Sequence, residues 1–180
     1  VEAERVFDQT LDGILIRGCI DRVERNSDTG AVRVLDYKTS GTAREPARAH
    51  WGAYREKRDA DTVPEYAKLD IKVNKRGGAR RWLDLQLPLY AWALEAEHGT
   101  EVSAGYFNIP SVGTDTGVSL LAPFDAEVKE LAMDCARGVV KDVAAGRFWP
   151  PAAKPEHDDF KGLLFDQSES TAVKPGGVAA

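Results

Sequence analysis

The chain has 180 residues, 43% of them hydrophobic and 29% charged, the balance of an ordinary globular domain large enough to bury a core. A formal net charge of −5 argues against a protein that coats nucleic acid along its whole surface. No apolar run reaches membrane-spanning length and no basic-then-apolar leader is present, so neither a helical membrane protein nor a membrane partner is expected.

The opening "VEAERVF" has no initiator Met, which suggests a piece of a longer protein. Glu4 to Leu11 reads as a strand, Gly13 as a turn, and Ile14 to Glu24 as a second strand rich in β-branched residues. The cluster "NSDTG" forms a turn before a third strand, Ala31 to Lys38. Links this short imply an antiparallel meander. From 41 to 81 the periodicity breaks up, and eleven Lys/Arg face six Asp/Glu there. This basic insert sits in an otherwise acidic chain, with a helix expected over Arg44 to Arg58 and an irregular "NKRGGARR".

Trp82 to His98 predicts a helix apolar around much of its circumference and therefore buried, with Pro88 near its start. Val102 to Ile109 reads as a fourth strand and Gly117 to Ala122 as a fifth. Asp125 is placed to cap a helix that runs to about Ala145, with Val128, Leu131, Cys135 and Val139 on its inner face and Gly146 as its stop. Beyond Phe148–Pro151 the tail, 151–180, is irregular and expected to be partly disordered. The order of elements gives a mixed α/β layer, not a doubly wound parallel sheet. Cys19 and Cys135 are far apart and lack metal-ligand spacing, so no disulfide and a cytoplasmic setting are expected.

Two acids fall within strand-like text. Residues i and i+2 of a strand share a face, so Asp36 and Lys38 project together, on the side of Val32 and Val34. Asp21 lies at a matching depth of the preceding strand. On charge spacing alone two readings stand. In one, a divalent cation removes the repulsion between two close carboxylates, and oxygen ligands suit Mg2+ or Mn2+. In the other, Asp36 and Lys38 form an ordinary ion pair while Asp21 pairs with Arg17 or Arg22. His157 with Asp158 and Asp159 reads as a solvated charge run.

The segments "GCIDRVE", "VLDYKTS" and "QLPLYA" together resemble, in order and spacing, the RecB/AddB-like branch of the PD-(D/E)XK nucleases. The family pattern of a G-x-x-D-R strand, a D-Y-K-T strand end and a Q-x-x-x-Y helix falls on Gly18, Asp21 and Arg22; on Asp36, Tyr37, Lys38 and Thr39; and on Gln86 and Tyr90. The resemblance implies a restriction-endonuclease-like core over 1–150, a mixed sheet with a three-strand antiparallel meander flanked by helices. It implies Asp21, Asp36 and the Tyr37 backbone carbonyl as ligands of Mg2+ or Mn2+, Lys38 as the catalytic lysine, and Gln86 and Tyr90 as residues of the active-site face. The other reading of this helix makes Tyr90 a core aromatic and Gln86 a satisfied buried amide.

The expected activity is metal-dependent hydrolysis of DNA phosphodiesters, as an exonuclease in end processing or recombination repair, joined to or partnered with a helicase. Arg22, Thr39, Arg80 and Arg81 are the expected DNA contacts. More broadly, Arg44, Arg48, Arg55, Lys57, Arg58, Lys75 and Arg76 are placed to steer a strand, and Trp51, Tyr54 and Tyr66 to stack on bases. Two departures qualify the resemblance. The family's metal-binding His or Glu on a helix before the first strand has no counterpart beyond Glu2 or Glu4, and the tail lacks the cysteines of an iron–sulfur cluster, so no cluster is expected. The alternative is a nuclease-like module that binds DNA or a partner without cutting.

Overall fold

Strand β1 (Glu2–Leu11) and strand β2 (Ile14–Arg25) form a hairpin closed by Asp12 and Gly13. Both turn residues have positive φ, 46° and 84°, as a two-residue type I′ turn requires, and Asp-Gly is a pair that tolerates it. Strand β3 (Val32–Ser40) returns antiparallel to β2 after a turn in which Asn26 Oδ1 accepts the amides of Asp28 and Thr29. The expected three-strand meander is therefore present. The computed structural model describes residues 1–71, 77–111 and 113–148. Lys75, Arg76, His157, Asp158, Asp159 and the expected irregular tail lie outside them.

Strand β7 (Val102–Pro110) pairs parallel with β3, and β8 (Gly117–Leu120) pairs antiparallel with β7. The main sheet thus runs β1-β2-β3-β7-β8, a mixed sheet of the restriction-endonuclease-like kind. Helix α3 (Gln86–His98) makes the crossover and lays Leu87, Ala91 and Leu94 against Val34, Val102 and Ala104. The opposite face leaves Tyr37, Ile109, Val118 and Leu120 exposed.

The insert differs from the sequence expectation. In place of one helix over Arg44 to Arg58 it has α1 (Pro46–His50), β4 (Trp51–Ala53) and α2 (Glu56–Asp59). Pro46 favours a helix start, but Trp51 is extended and pairs with Trp82. With β5 (Lys68–Asp70) and β6 (Ala79–Trp82), β4 makes a small antiparallel sheet, β4-β6-β5. For the same reason α3 begins at Gln86 and not at Trp82. Trp82 belongs to β6, Leu83 N donates to His50 O (2.9 Å), and Asp84 Oδ1 accepts the Gln86 amide (2.7 Å).

Helix α4 (Ala126–Ala144) starts as expected, with Asp125 Oδ1 accepting the Val128 amide at 3.0 Å. Its buried row is Val128, Ala132, Ala136 and Val140, whereas Val139 is 43% exposed. Cys135 is buried, and burial pushes its thiol up to about 12. The first compact unit covers Val1–Val140. In the second, which begins at Lys141, the described residues finish α4 with an Arg147–Asp142 pair at 2.6 Å and Gly146 at φ 66°.

Candidate active site

Asp36 and Lys38 stand on the inner face of β3 as it leaves the core. Side chains of Val32 and Val34 precede them on that face and are buried. Asp36 is only 5% exposed, and an unpaired carboxylate at that depth is costly. Each of its oxygens has a neighbour. Lys38 Nζ lies 2.6 Å from Oδ2, which accepts no well-directed hydrogen bond among the described residues, and Gln86 Nε2 donates to Oδ1 at 2.8 Å.

Asp21 arrives from β2 at the point where regular pairing stops. The β2–β3 ladder ends at Arg22 opposite Leu35, so Asp21 falls opposite Asp36 in register, one step past the last pair. Its Oδ2 accepts the Tyr37 amide at 2.8 Å, doing with a side chain what the ladder would do with a carbonyl. Ile20 and Val23 are both buried although three residues apart, so the period-two alternation slips by one across Asp21. The β1–β2 pairing also skips one position, Glu4 opposite Asp21, where Glu4 adopts φ 53°. Glu4 is exposed, and Glu2 meets Arg5 at 3.7 Å.

Gln86 and Tyr90 share one face of α3. Gln86 Nε2 lies 3.0 Å from the Tyr90 hydroxyl, which donates to the Cys19 carbonyl at 2.8 Å. This ties the helix to β2 two residues before Asp21. Burial raises the Tyr90 hydroxyl, and the Asp36 and Asp21 charges add to the shift while Gln86 opposes it. Phe7 packs edge-on against Tyr90, with ring centroids 5.9 Å apart. A Cβ on Gly18 would come within 2.5 Å of the Phe7 ring, so the first residue of the G-x-x-D-R motif makes room for that contact.

Residues not singled out in the sequence complete the inner face. Tyr106 and Asn108 of β7 stand beside Asp36 and Lys38 in the parallel register. Lys38 Nζ lies over the Tyr106 ring, 4.9 Å from its centroid. Asn108 is buried and clamps the start of the insert, accepting from Arg44 N (2.8 Å) and donating to Arg44 O (3.1 Å). His50 is fully buried, with Nδ1 2.8 Å from Asp84 O and Nε2 3.1 Å from the Tyr106 hydroxyl. Burial lowers His50, and it raises the Tyr106 hydroxyl to about 12 with help from Asp84 and Asp36.

The other expected DNA contacts are dispersed. Arg22 reaches Glu24 at 2.6 Å, Tyr37 Oη at 3.4 Å and the Phe107 ring at 5.5 Å, not the two acids. Arg17 pairs with Asp8 at 2.7 Å, so Asp21 has neither of the arginine partners considered for it. Thr39 is exposed; Arg80 and Arg81 are half-buried on β6. Trp51 does not offer a face to a base, because it is 4% exposed and packed against Trp82. Tyr54 is held by Glu56 and Lys68, and Tyr66 packs against Gly138.

The donor set fits a divalent cation. Asp21 and Asp36 fall opposite one another in register, and Lys38 pairs with Asp36; two carboxylates and one ammonium leave a net negative charge, and a hard cation with mostly water ligands needs only one or two carboxylates. Among the described residues no group of three or more His, Cys, Asp and Glu forms a metal cage.

A sequence profile described as the PD-(D/E)XK nuclease superfamily matches residues 1–161. No curated protein matches the chain significantly. The chain is similar to a crystal structure from Eubacterium rectale named "Putative exonuclease", at 11% identity and a TM-score of 0.43, over 99% of this chain and 55% of that one. The chain thus spans about half the length of that protein.

Proposed function

The chain belongs to the PD-(D/E)XK nuclease superfamily, and on that premise we propose that it is a RecB/AddB-like deoxyribonuclease domain. It acts as an exonuclease in DNA end processing or recombination repair, in the cytoplasm, within a protein or complex that includes a helicase. The observation that carries this reading is the convergence of Asp21, Asp36, Lys38 and Gln86 where the β2–β3 ladder ends.

PD-(D/E)XK nucleases generally use divalent metal ions. Here Asp21, Asp36 and the Tyr37 carbonyl are the proposed ligands of Mg2+ or Mn2+, which would supply an activated water and Lewis acidity at the scissile phosphate. Gln86 fixes Asp36 through Oδ1 and leaves Oδ2 directed at the site. Tyr90 holds Gln86 in turn. The Lys38 ammonium, 2.6 Å from that oxygen, stabilises negative charge developing on the phosphoryl oxygens and orients the attacking water. Arg22, Thr39, Arg80 and Arg81 contact the DNA backbone.

The absence of a third acidic or histidine ligand among the described residues favours a second reading, a module that binds DNA without cutting it. Incubation of labelled single- and double-stranded DNA with Mg2+, Mn2+ or EDTA separates the two. Cleavage is expected with metal and not with EDTA. Asp36→Ala and Lys38→Ala should each lower it by about 10²- to 10³-fold, the scale for losing a charge-stabilising group. Binding without cleavage under every metal condition would leave the second reading.

A further inference from the structure

We propose that Tyr106 and His50 are positioning residues that hold Lys38 against Asp36, through a closed circuit joining the insert, the start of α3 and the end of β3. The inference rests on the reading of Lys38 as the catalytic lysine.

A lysine is a point charge on a flexible four-carbon stem, and freezing it costs rotamer entropy. One carboxylate contact fixes the distance of the ammonium but not its direction. The face of Tyr106 supplies the second constraint, 4.9 Å from Nζ to the ring centroid, within the range of a cation–π contact. Tyr106 is 1% exposed and stands next to Asp36 in the β3–β7 register, so its ring is set by the same strand pairing that sets the carboxylate.

The hydroxyl of that ring is fixed from outside the sheet. His50 Nδ1 lies 2.8 Å from the Asp84 carbonyl, which only accepts, so Nδ1 carries the proton. In the neutral ring Nε2 is then an acceptor, and the Tyr106 hydroxyl 3.1 Å away donates to it. Asp84 Oδ1 accepts the Gln86 amide at 2.7 Å, and Gln86 Nε2 donates to Asp36 Oδ1 at 2.8 Å. The path has returned to Asp36, whose Oδ2 meets Lys38. A buried histidine serving only packing would need no such path. This one couples the orientation of both Asp36 oxygens to the root of the insert without approaching substrate itself.

The test uses the full chain with Tyr106→Phe, which keeps the ring and removes the hydroxyl; Tyr106→Leu, which removes the ring; and His50→Gln. Steady-state cleavage of labelled DNA with Mn2+ gives kcat and KM. NMR of the Lys38 ε-methylene protons in metal-free protein gives a readout independent of cleavage. Tyr106→Phe and His50→Gln are expected to lower kcat roughly 10- to 100-fold, the usual cost of losing a supporting partner, with KM little changed because ground-state binding of DNA is untouched. Tyr106→Leu is expected to move the Lys38 ε-protons downfield, out of the ring's shielding.

Unchanged kcat in Tyr106→Phe, or lysine signals in Tyr106→Leu that match wild type, overturns the inference. Should His50→Gln fail to fold, the near-isosteric Tyr106→Phe carries the decision. A wild type that cuts no DNA defeats the nuclease reading, and the lysine signals then decide the positioning alone. A wild type that cuts, is silenced by Lys38→Ala and tolerates Tyr106→Phe defeats only the positioning.

Discussion

At the end of β3 both oxygens of a nearly buried carboxylate are engaged, and the groups engaging them are held by others. Gln86 is tied to Tyr90, Tyr90 to the Cys19 carbonyl, and Tyr106 to His50. On β6, by contrast, Arg80 and Arg81 are half-buried, and each has a buried Nε without a hydrogen-bond partner among the described residues. The first arrangement suits a reaction that needs charge fixed to within a fraction of an ångström. If Arg80 and Arg81 contact DNA as proposed, the second suits a polyanion that passes in many registers, since attraction to phosphate needs no single fixed geometry. The two regions meet at His50, whose backbone carbonyl accepts Leu83 N and whose ring reaches Tyr106.

The comparison can be broken first at the fixed side. Gln86→Leu keeps the helix and removes the amide that holds Asp36 Oδ1. A loss of roughly 10- to 100-fold in kcat is expected from the mobility this gives the carboxylate, with cleavage by Asp36→Ala as the floor. Full activity in Gln86→Leu would mean that Asp36 needs no support, and the contrast between a held site and a loose one would fail.

The mooring of the insert gives the next test. In α4 a Cβ on Gly138 would lie 2.2 Å from Cγ of Tyr66, which belongs to the insert. Glycine to alanine in a helix interior ordinarily gains up to about 1 kcal/mol from propensity. Overpacking costs about 1–3 kcal/mol, and the clash is with the base of an aromatic ring, not the free end of a chain. Gly138→Ala is therefore expected to destabilise, seen as a lower midpoint in urea with an unchanged slope. A higher midpoint would show that Tyr66 yields easily and that the insert is only loosely moored.

The held side was the more legible in the sequence, and the reason is local. Asp36 and Lys38 sit at i, i+2 and Gln86 and Tyr90 at i, i+4, and these pairs and Asp21 lie on elements whose type follows from β-branched runs and apolar content. Asp12-Gly13 and the "NSDTG" turn fix the meander by turn chemistry. What the sequence concealed is what distant pairing creates. The helix start was blurred because "WLDLQL" is apolar on both sides of the strand-to-helix change, and only the Trp51–Trp82 pairing divides it. The arginine-rich strand "ARRW" has no alternation to betray it. Tyr106 meets His50, and Asn108 meets Arg44, across more than fifty residues. Their one local signal was that Tyr106 and Asn108, two apart in a strand, must share a face.

The smallest expected effect belongs to the open side. Arg81 pairs with Gly52 and Lys68 across the small sheet and is half-buried. If its guanidinium contacts one DNA phosphate, Arg81→Ala removes the release of about one counterion, and the slope of log K against log salt becomes shallower by about 0.7–0.9. The loss should be alike for any DNA sequence, since phosphate carries no base identity. It should leave kcat at saturating DNA near wild type, because a steering charge acts on encounter and not on the reacting phosphate. Two outcomes would undo the contrast between the regions. An unchanged salt slope would remove Arg81 from the DNA path. A fall in kcat at saturation would place Arg81 among the groups that fix the reacting phosphate, and the small sheet would then belong to the held site.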